Sequence, residues 1–402
     1  MLYEPARHEP LQPIEWDEGI AAAAIQRIVR DTEARFTPAT HWPLHPLDAQ
    51  GSDTKPLFNI YVGAAGTVWA LHHLQATGAV TLERSYVDYV ETLLPLNCAC
   101  LRAEGCDDVD TASYLMGDTG ILLLSYALVP RAETAARLEA LIASNLDNPA
   151  RELMWGSPGT LLASLFLHRH TGEPRWAELY ATTARKLWSQ LLWSPEHRCH
   201  YWTQDLYRRH FTFLDAVHGF VATALPLIHG RHLLESDEWQ AWQDCIVETI
   251  RNTAQREGHQ TNWLAMLYSA RAQSPLLQFC HGAPGFVICL ADLPSNALDD
   301  LLLGGGDVTW EAGPLTKGSN LCHGTGGNGY VFLKLFERTG DEQWLTRARA
   351  FAMHGIAQTE AHARQHGHLR YSLWTGDAGF AIYLRDCIRG EAAFPTLDTF
   401  FA

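Results

Sequence analysis

Two short turns contain the side chains of this chain that are best suited to metal chemistry. The sequence Cys-His-Gly occurs at residues 280–282 and again at 322–324. Cysteine and histidine are common ligands of zinc in proteins. Because the two cysteines lie 42 residues apart, they do not form a zinc finger. Their side chains can share one ion only if the fold brings the two turns together.

Two cysteines and one histidine predict a particular kind of zinc site. Structural zinc usually takes four protein ligands, whereas catalytic zinc takes three and leaves one position open. Two thiolates and a neutral imidazole bring Zn²⁺ close to zero formal charge, and a thiol that enters the open position loses its proton. A site of three histidines keeps a positive charge that better suits hydroxide formation. The ligand set therefore favours thiol alkylation, unless Cys280 and Cys322 are simply small buried apolar side chains.

The composition limits the class of protein further. The nine cysteines are an odd number at irregular spacings, which is a poor basis for disulfides and favours a reducing compartment. The chain is 47% hydrophobic and 19% charged, and its net charge of −15 without a basic block excludes nucleic acid as a partner. We find neither a signal peptide nor the roughly 18 apolar residues that a transmembrane segment needs. We therefore expect a cytoplasmic protein.

The elements that must position these turns follow from an internal repeat. A Gly-x-x-Gly turn recurs at 63–66, 117–120, 156–159, 282–285, 324–327 and 376–379, and a seventh at Gly219 has Ala222 in place of the second glycine. An apolar segment follows each turn and predicts a buried inner helix. Amphipathic stretches between the turns predict outer helices at 85–97, 133–146, 175–192, 237–255 and 342–361. No run shows the alternation of a β-strand.

This pattern predicts an all-α fold in which seven inner and seven outer helices close into a ring. Closure would gather all seven glycine turns at one mouth, with the two Cys-His turns on neighbouring loops. An open helical solenoid is the alternative, but its end repeats would be more polar than these. We expect a single domain over residues 1–402, with an irregular arm at 1–15. The stretch 160–210 and an insertion at 292–315 could hold substrate-recognition elements.

The motifs FCHGAPGF, LCHGTGGNGY, ELMWGSPG and DAVHGF, together with the seven turns, resemble those of the lanthionine synthetase C (LanC) family. The likeness is closer to the LanC-like branch that is associated with glutathione. It implies an α/α toroid with one zinc ion at its mouth. By motif position, the resemblance assigns the metal ligands to Cys280, Cys322 and His323.

The resemblance also implies a reaction. LanC enzymes add a peptide cysteine to dehydroalanine or dehydrobutyrine, and LanC-like proteins are associated with adding glutathione to such residues. The reaction needs an acid for the α-carbon, and the family's catalytic histidine corresponds to His218, whose ordinary pKa lies near neutrality. A helix-start histidine bonded to the backbone is the alternative. Glu152 corresponds to a carboxylate near that histidine, with helix capping on the surface as its alternative.

Two further positions are candidates for substrate binding. Lys317 corresponds to a lysine that contacts glutathione in the LanC-like branch, although it could also be merely solvated. His281 follows a metal ligand where most cyclases have a tyrosine, and it could contact either the ligand or the substrate. An arginine that many cyclases carry shortly before the first zinc cysteine is replaced by Leu277. That replacement weighs against a peptide cyclase.

Three other functions remain open at this point. The chain could be a stand-alone lanthipeptide cyclase that depends on a partner for its dehydrated peptide. It could also be a non-catalytic scaffold that binds zinc together with glutathione or a protein. An α/α-barrel glycosidase or terpenoid cyclase is disfavoured, because those need paired or clustered carboxylates. The turns supply Asp118, Asp215 and Asp377 only singly.

Overall fold

A computed structural model describes residues 1–49, 55–106 and 111–401 of the chain. These residues contain fourteen α-helices, which alternate along the chain between an outer and an inner layer. The outer helices are α1 (Glu18–Arg35), α3 (Val87–Ala103), α5 (Ala132–Ser144), α7 (Pro174–Ser189), α9 (Ser236–Thr253), α11 (Asp299–Ala312) and α13 (Glu342–His366). The inner helices are α2 (Ala64–Ala76), α4 (Asp118–Leu128), α6 (Ser157–Thr171), α8 (Phe220–His229), α10 (Ala283–Leu290), α12 (Thr325–Thr339) and α14 (Asp377–Arg389).

The inner helices form a closed ring. Each inner helix contacts the next one along the chain, and α14 contacts α2. Every inner helix begins directly after the first glycine of one of the seven turns. The predicted toroid of seven inner and seven outer helices is therefore confirmed, and its alternative, the open solenoid, is wrong.

In the six turns that have a second glycine, a close backbone contact requires it. A Cβ atom at Gly327 would lie 1.9 Å from the carbonyl oxygen of Leu321, and one at Gly66 would lie 2.0 Å from that of Ile60. No side chain fits at such distances. The backbone of the glycine turn thus packs directly against the first helical turn of the inner helix that follows it.

Main-chain hydrogen bonds hold neighbouring turns side by side at the mouth. The Cys280 N–H donates to the Cys322 carbonyl at 3.1 Å, and the Cys322 N–H donates to the Trp374 carbonyl at 2.8 Å. The Trp374 N–H in turn donates to the Tyr61 carbonyl at 3.2 Å. The fifth, sixth, seventh and first turns are consequently joined where the ring closes.

Two expectations about local structure are wrong. The supposed insertion at 292–315 contains the outer helix α11, whose central glycines resemble a loop in the sequence. They are needed for packing, since a Cβ at Gly306 would lie 2.3 Å from a Leu335 methyl carbon. The described residues also form three antiparallel hairpins of three-residue strands, which are too short to show alternation. They pair β1 (Leu192–Ser194) with β2 (Cys199–Tyr201), β3 (Gln204–Leu206) with β4 (Arg209–Phe211), and β5 (Gln255–Glu257) with β6 (Gln260–Asn262).

The segment that follows α14, residues 391–401, lies inside the ring, and we call it the lumen segment. Phe394 is fully buried and stacks on Phe279 with 4.7 Å between ring centroids. Phe400 packs against Trp69 of α2 and Phe166 of α6. Because these partners lie on different sides of the ring, the lumen segment fills its centre beneath the glycine turns.

The N-terminal arm packs against the connection that leads into the sixth turn. It has one 3₁₀ turn, Pro5–Arg7. The Thr316 N–H donates to the Arg7 carbonyl at 3.0 Å, and the Glu9 N–H donates to the Pro314 carbonyl at 2.9 Å. Within the described ranges, none of the helices is both long and apolar enough to cross a bilayer.

Candidate metal centre

Cys280, Cys322 and His323 form a cluster of possible metal ligands at the mouth of the ring. Their ligand atoms all lie within 4.8 Å of one another. Both cysteines are buried, and His323 is partly exposed. Two sulfurs and one imidazole nitrogen at this spacing fit the ligand preferences of zinc, whose bonds to such atoms are about 2.0–2.3 Å long.

The fold explains why these three side chains meet. Cys280 and Cys322 occupy equivalent positions, each two residues before the first glycine of its turn. Helices α10 and α12 are neighbours in the ring, and the hydrogen bond from Cys280 to Cys322 sets the two turns in register. The Asn320 carboxamide oxygen accepts from the His323 N–H at 3.0 Å and fixes the local turn.

The two thiols differ in acidity. The pKa of Cys322 lies well below its ordinary value, because the Cys280 thiol donates a hydrogen bond to it and His323 and Tyr61 stabilise its charge further. The pKa of Cys280 is raised well above its ordinary value by that same hydrogen bond and by burial.

Tyr61 is a site residue that the sequence analysis missed. Its hydroxyl oxygen lies 2.7 Å from the Cys322 sulfur, although the two residues are 261 positions apart in the chain. Tyr61 belongs to the first turn, which meets the seventh where the ring closes. No local motif marks it, so only the closed ring reveals the contact.

His218 and Glu152 form a hydrogen-bonded pair beside the cluster. Nδ1 of His218 lies 2.9 Å from a carboxylate oxygen of Glu152, which is fully buried. Burial alone lowers the pKa of His218, but the hydrogen bond and charge of Glu152, with smaller effects of Asp215 and Cys322, raise it overall. The structure thus brings together the two residues assigned to acid chemistry. Glu152 lies in the interior rather than on the surface, and its carboxylate also accepts from the Met154 and Trp155 N–H groups of its own turn.

A second histidine–carboxylate pair lies next to the first. Nδ1 of His281 is 2.8 Å from one carboxylate oxygen of the fully buried Asp215. The other oxygen of Asp215 accepts from the His218 N–H at 2.8 Å. Asp215 therefore links the two histidines, a role that the sequence analysis did not assign to it. The signal was present in the spacing of DAVHG, where an aspartate caps the turn that carries the histidine.

Aromatic side chains cover these two histidines. The Phe213 ring lies 5.5 Å from that of His218 and 6.5 Å from that of His281. Tyr207, at the tip of the β3–β4 hairpin, lies 6.4 Å from His218 and is 65% exposed. The stretch 160–210 thus contributes a hairpin to the rim of the site.

Lys317 is exposed and lies outside the ligand cluster. It borders a small cleft together with His45, His362 and Asn320. The Asn320 side chain donates to the Lys317 carbonyl at 3.1 Å and accepts from the His323 N–H. One side chain therefore connects the lysine backbone to the predicted metal ligand.

A second group of possible ligands, His229, Asp292 and Asp398, lies towards the opposite end of the ring. The Lys334 ammonium donates to Asp292 at 2.8 Å and reaches Asp398 at 2.9 Å, and its side chain is only 3% exposed. A buried ammonium already supplies the positive charge that these carboxylates need. This group is therefore an internal ion-pair network that holds the lumen segment.

Known proteins resemble this chain over much of its length. The family model described as "Lanthionine synthetase C-like protein" matches residues 54–399. A Danio rerio protein named glutathione S-transferase LANCL1 is 35% identical over 133 residues, which cover 32% of this chain and 32% of that protein. The Arabidopsis thaliana LanC-like protein GCL1 is 28% identical over 243 residues, covering 57% of this chain and 53% of that protein. The aligned regions thus span about a third and about half of these relatives.

The fold has a counterpart among solved structures. Nisin cyclase superimposes with a TM-score of 0.60 over 92% of this chain and 94% of its own, at 14% sequence identity. At that identity the likeness establishes a shared α/α toroid and nothing about substrate.

Proposed function

This chain belongs to the lanthionine synthetase C-like family, and we propose that it is a zinc-dependent enzyme that forms thioethers by adding glutathione to dehydroalanine or dehydrobutyrine residues of peptides or proteins. The observation that carries the proposal is the cluster of Cys280, Cys322 and His323 beside the hydrogen-bonded pair of His218 and Glu152. The proposal is supported by candidate metal ligands and a candidate acid that lie at the same mouth of the ring.

In this proposal, Cys280, Cys322 and His323 hold one zinc ion. When bound, the ion supplies an open position at which a substrate thiol is held as thiolate. The main-chain hydrogen bond between the two cysteines preorganises the ligands, so little rearrangement is needed when the metal enters.

His218 acts as the acid. The substrate sulfur loses its proton and forms a bond to the β-carbon, while the electron pair of the carbon–carbon double bond moves to the α-carbon. Protonated His218 gives its proton to the α-carbon, and the proton released by the thiol restores the imidazole. Glu152 favours the charged imidazole and fixes its orientation through Nδ1.

The surrounding residues define how substrate is bound. Phe213 and Tyr207 form an apolar wall beside the histidines that limits access of water to the carbanion. His281 is held by Asp215 at the same wall and is placed to contact the dehydroamino acid. Lys317 is placed to attract a carboxylate of glutathione from the rim.

The thiolates that this chemistry uses must remain reduced, which supports a cytoplasmic location. Leu277, where many cyclases have an arginine, favours glutathione over a peptide cysteine as the thiol. The name of one relative, glutathione S-transferase LANCL1, also favours glutathione as the thiol.

The test is a direct assay of adduct formation. Purified protein is incubated with glutathione and a dehydroalanine peptide, with and without a chelator, and the adduct is measured by mass spectrometry. We expect zinc-dependent adduct with the native protein and none with Cys322→Ala. Cys289→Ala is the matched control, because Cys289 is equally buried but lies on α10 away from the cluster.

The outcomes of this assay distinguish the proposed enzyme from a non-catalytic scaffold and from a lanthipeptide cyclase. Glutathione binding without any adduct would support the scaffold and overturn the enzyme. Cyclisation of a dehydrated peptide by its own cysteine, with no glutathione adduct, would identify a lanthipeptide cyclase instead.

A further inference from the structure

The first glycine turn contributes no metal ligand, yet it places a phenol against the predicted metal site. The Tyr61 hydroxyl lies 2.7 Å from the Cys322 sulfur. The mechanism outlined above makes no use of this contact. A half-buried hydroxyl in contact with a predicted metal ligand calls for a separate explanation.

We propose that Tyr61 is a positioning residue of the metal site, which donates a hydrogen bond to the Cys322 sulfur and thereby orients that ligand and limits its electron donation to the metal. This inference rests on the proposed function, because it needs zinc at Cys280, Cys322 and His323. It assigns to the first turn a role in a site whose ligands come from the fifth and sixth turns.

The direction of the hydrogen bond follows from the chemistry of the two groups. A metal-binding cysteine is a thiolate, which can only accept. A tyrosine hydroxyl keeps its proton at neutral pH and can donate it in a hydrogen bond. The hydroxyl is therefore the donor whenever Cys322 is charged.

The phenol is held rigidly enough to orient its partner. The Tyr61 N–H donates to the Leu115 carbonyl at 3.2 Å, and the Tyr61 carbonyl accepts from the Trp374 N–H. The rings of Tyr61 and Trp374 also pack with 5.6 Å between their centroids. Since Trp374 bonds to the Cys322 N–H as well, tyrosine and cysteine are fixed to the same residue.

A hydrogen bond to a thiolate ligand has two consequences for the bound metal. It fixes which sulfur lone pair points at the ion, and it draws electron density away from the sulfur. The metal then remains a stronger Lewis acid towards an incoming thiol. Loss of such partners typically lowers metal affinity about 10–100-fold.

Tyr114 offers a matched control. It belongs to the neighbouring second turn, is fully buried, and donates its hydroxyl to the Thr396 carbonyl at 2.7 Å. Tyr114→Phe therefore removes one tyrosine hydrogen bond inside the ring, as Tyr61→Phe does, but leaves the metal ligands untouched.

The experiment measures zinc affinity by competition with a chromophoric chelator and the absorption of the cobalt-substituted protein. For Tyr61→Phe we expect affinity about 10–100-fold weaker than that of the native protein. We also expect the sulfur-to-cobalt charge-transfer band at longer wavelength, because a sulfur without its hydrogen bond gives up electrons more easily. Tyr114→Phe should match the native protein in both measurements.

Equal affinity and equal band position for the native protein and Tyr61→Phe would overturn the inference. Equal changes of affinity and band position in Tyr61→Phe and Tyr114→Phe would also overturn it. The loss of any tyrosine hydroxyl inside the ring would then be enough to cause them. A native protein that binds no zinc would overturn the metal site and this inference together. One that binds zinc but forms no adduct would overturn only the catalytic function.

Discussion

The Glu152 carboxylate holds Nδ1 of His218 at 2.9 Å and is itself fully buried, so it has no solvent to balance its charge. It also accepts from the Met154 N–H at 2.9 Å. The carboxylate thus couples the third glycine turn to the fourth. This relationship makes the protonation of His218 dependent on a residue 66 positions away.

Removing the imidazole should stop the reaction without disturbing the metal ligands. We predict that His218→Ala lowers adduct formation about 10²–10⁴-fold, the usual contribution of a general acid. Zinc content, measured by atomic emission, should stay at the native level. Native activity in this variant would show that another group supplies the proton.

Glu152→Gln should shift the pH dependence rather than abolish activity. The acid must be protonated, so activity is lost as pH rises through the pKa of His218. Because Glu152 raises that pKa, its removal should move the alkaline limb of the rate profile to lower pH. A profile measured between pH 5 and pH 9 checks this, and an unmoved limb would contradict the role of Glu152.

Removing the metal should lower both activity and stability. Ligands that bind only the folded state stabilise it in proportion to the logarithm of their concentration over Kd. A chelator should therefore lower the melting temperature of the native protein, and added zinc should restore it. In Cys280→Ala, which lacks one metal ligand, the chelator should change the melting temperature much less. An equal change in the native protein and in this variant would argue against this metal site.

The second glycine of the sixth turn should not tolerate a side chain. A Cβ at Gly327 would lie 1.9 Å from the Leu321 carbonyl oxygen. We predict that Gly327→Ala destabilises the fold by about 3 kcal/mol, as overpacking in a core does. Because Leu321 precedes Cys322, zinc affinity should fall as well. Denaturant unfolding against Gly19→Ala, at an exposed glycine whose Cβ would meet only the Asp17 side chain, separates this clash from the effect of losing a glycine.

The ion-pair network inside the ring should be essential for folding. Lys334→Met would leave Asp398, which is 9% exposed, and Asp292, which is 34% exposed, without their cation. We predict a loss of about 3 kcal/mol, at the lower end for removal of one partner of a buried pair, because solvent reaches Asp292. Denaturant unfolding measures it, and Lys317→Met, at an exposed lysine, should stay near the native value.

The sequence was informative wherever the signal is local and repeated. The glycine turns predicted the number of inner helices, because the first glycine of every turn directly precedes one inner helix. The Cys-His turns predicted a ligand cluster once the ring placed the fifth and sixth turns side by side. Helix α11 was missed because its packing glycines also suit a loop.

The contacts of Tyr61 and Asp215 could not be predicted in this way. Tyr61 meets Cys322 only because the first and seventh turns close the ring, which leaves no pattern in the sequence. In the sequence Asp215 is an isolated carboxylate, because His281, to which it is hydrogen-bonded, lies 66 positions further along the chain. Hydrogen bonds between distant turns depend on the exact register of the ring.

The lumen segment determines from which side the site at the mouth can be reached. Phe394 stacks beneath Phe279, the residue just before Cys280, and closes the centre of the ring below the site. Among the described residues, the centre of the ring below the site is therefore filled rather than open. In the proposed reaction, a reactive residue would have to enter from the mouth and leave by the same route, on a loop or a chain end rather than on a chain that passes through the ring.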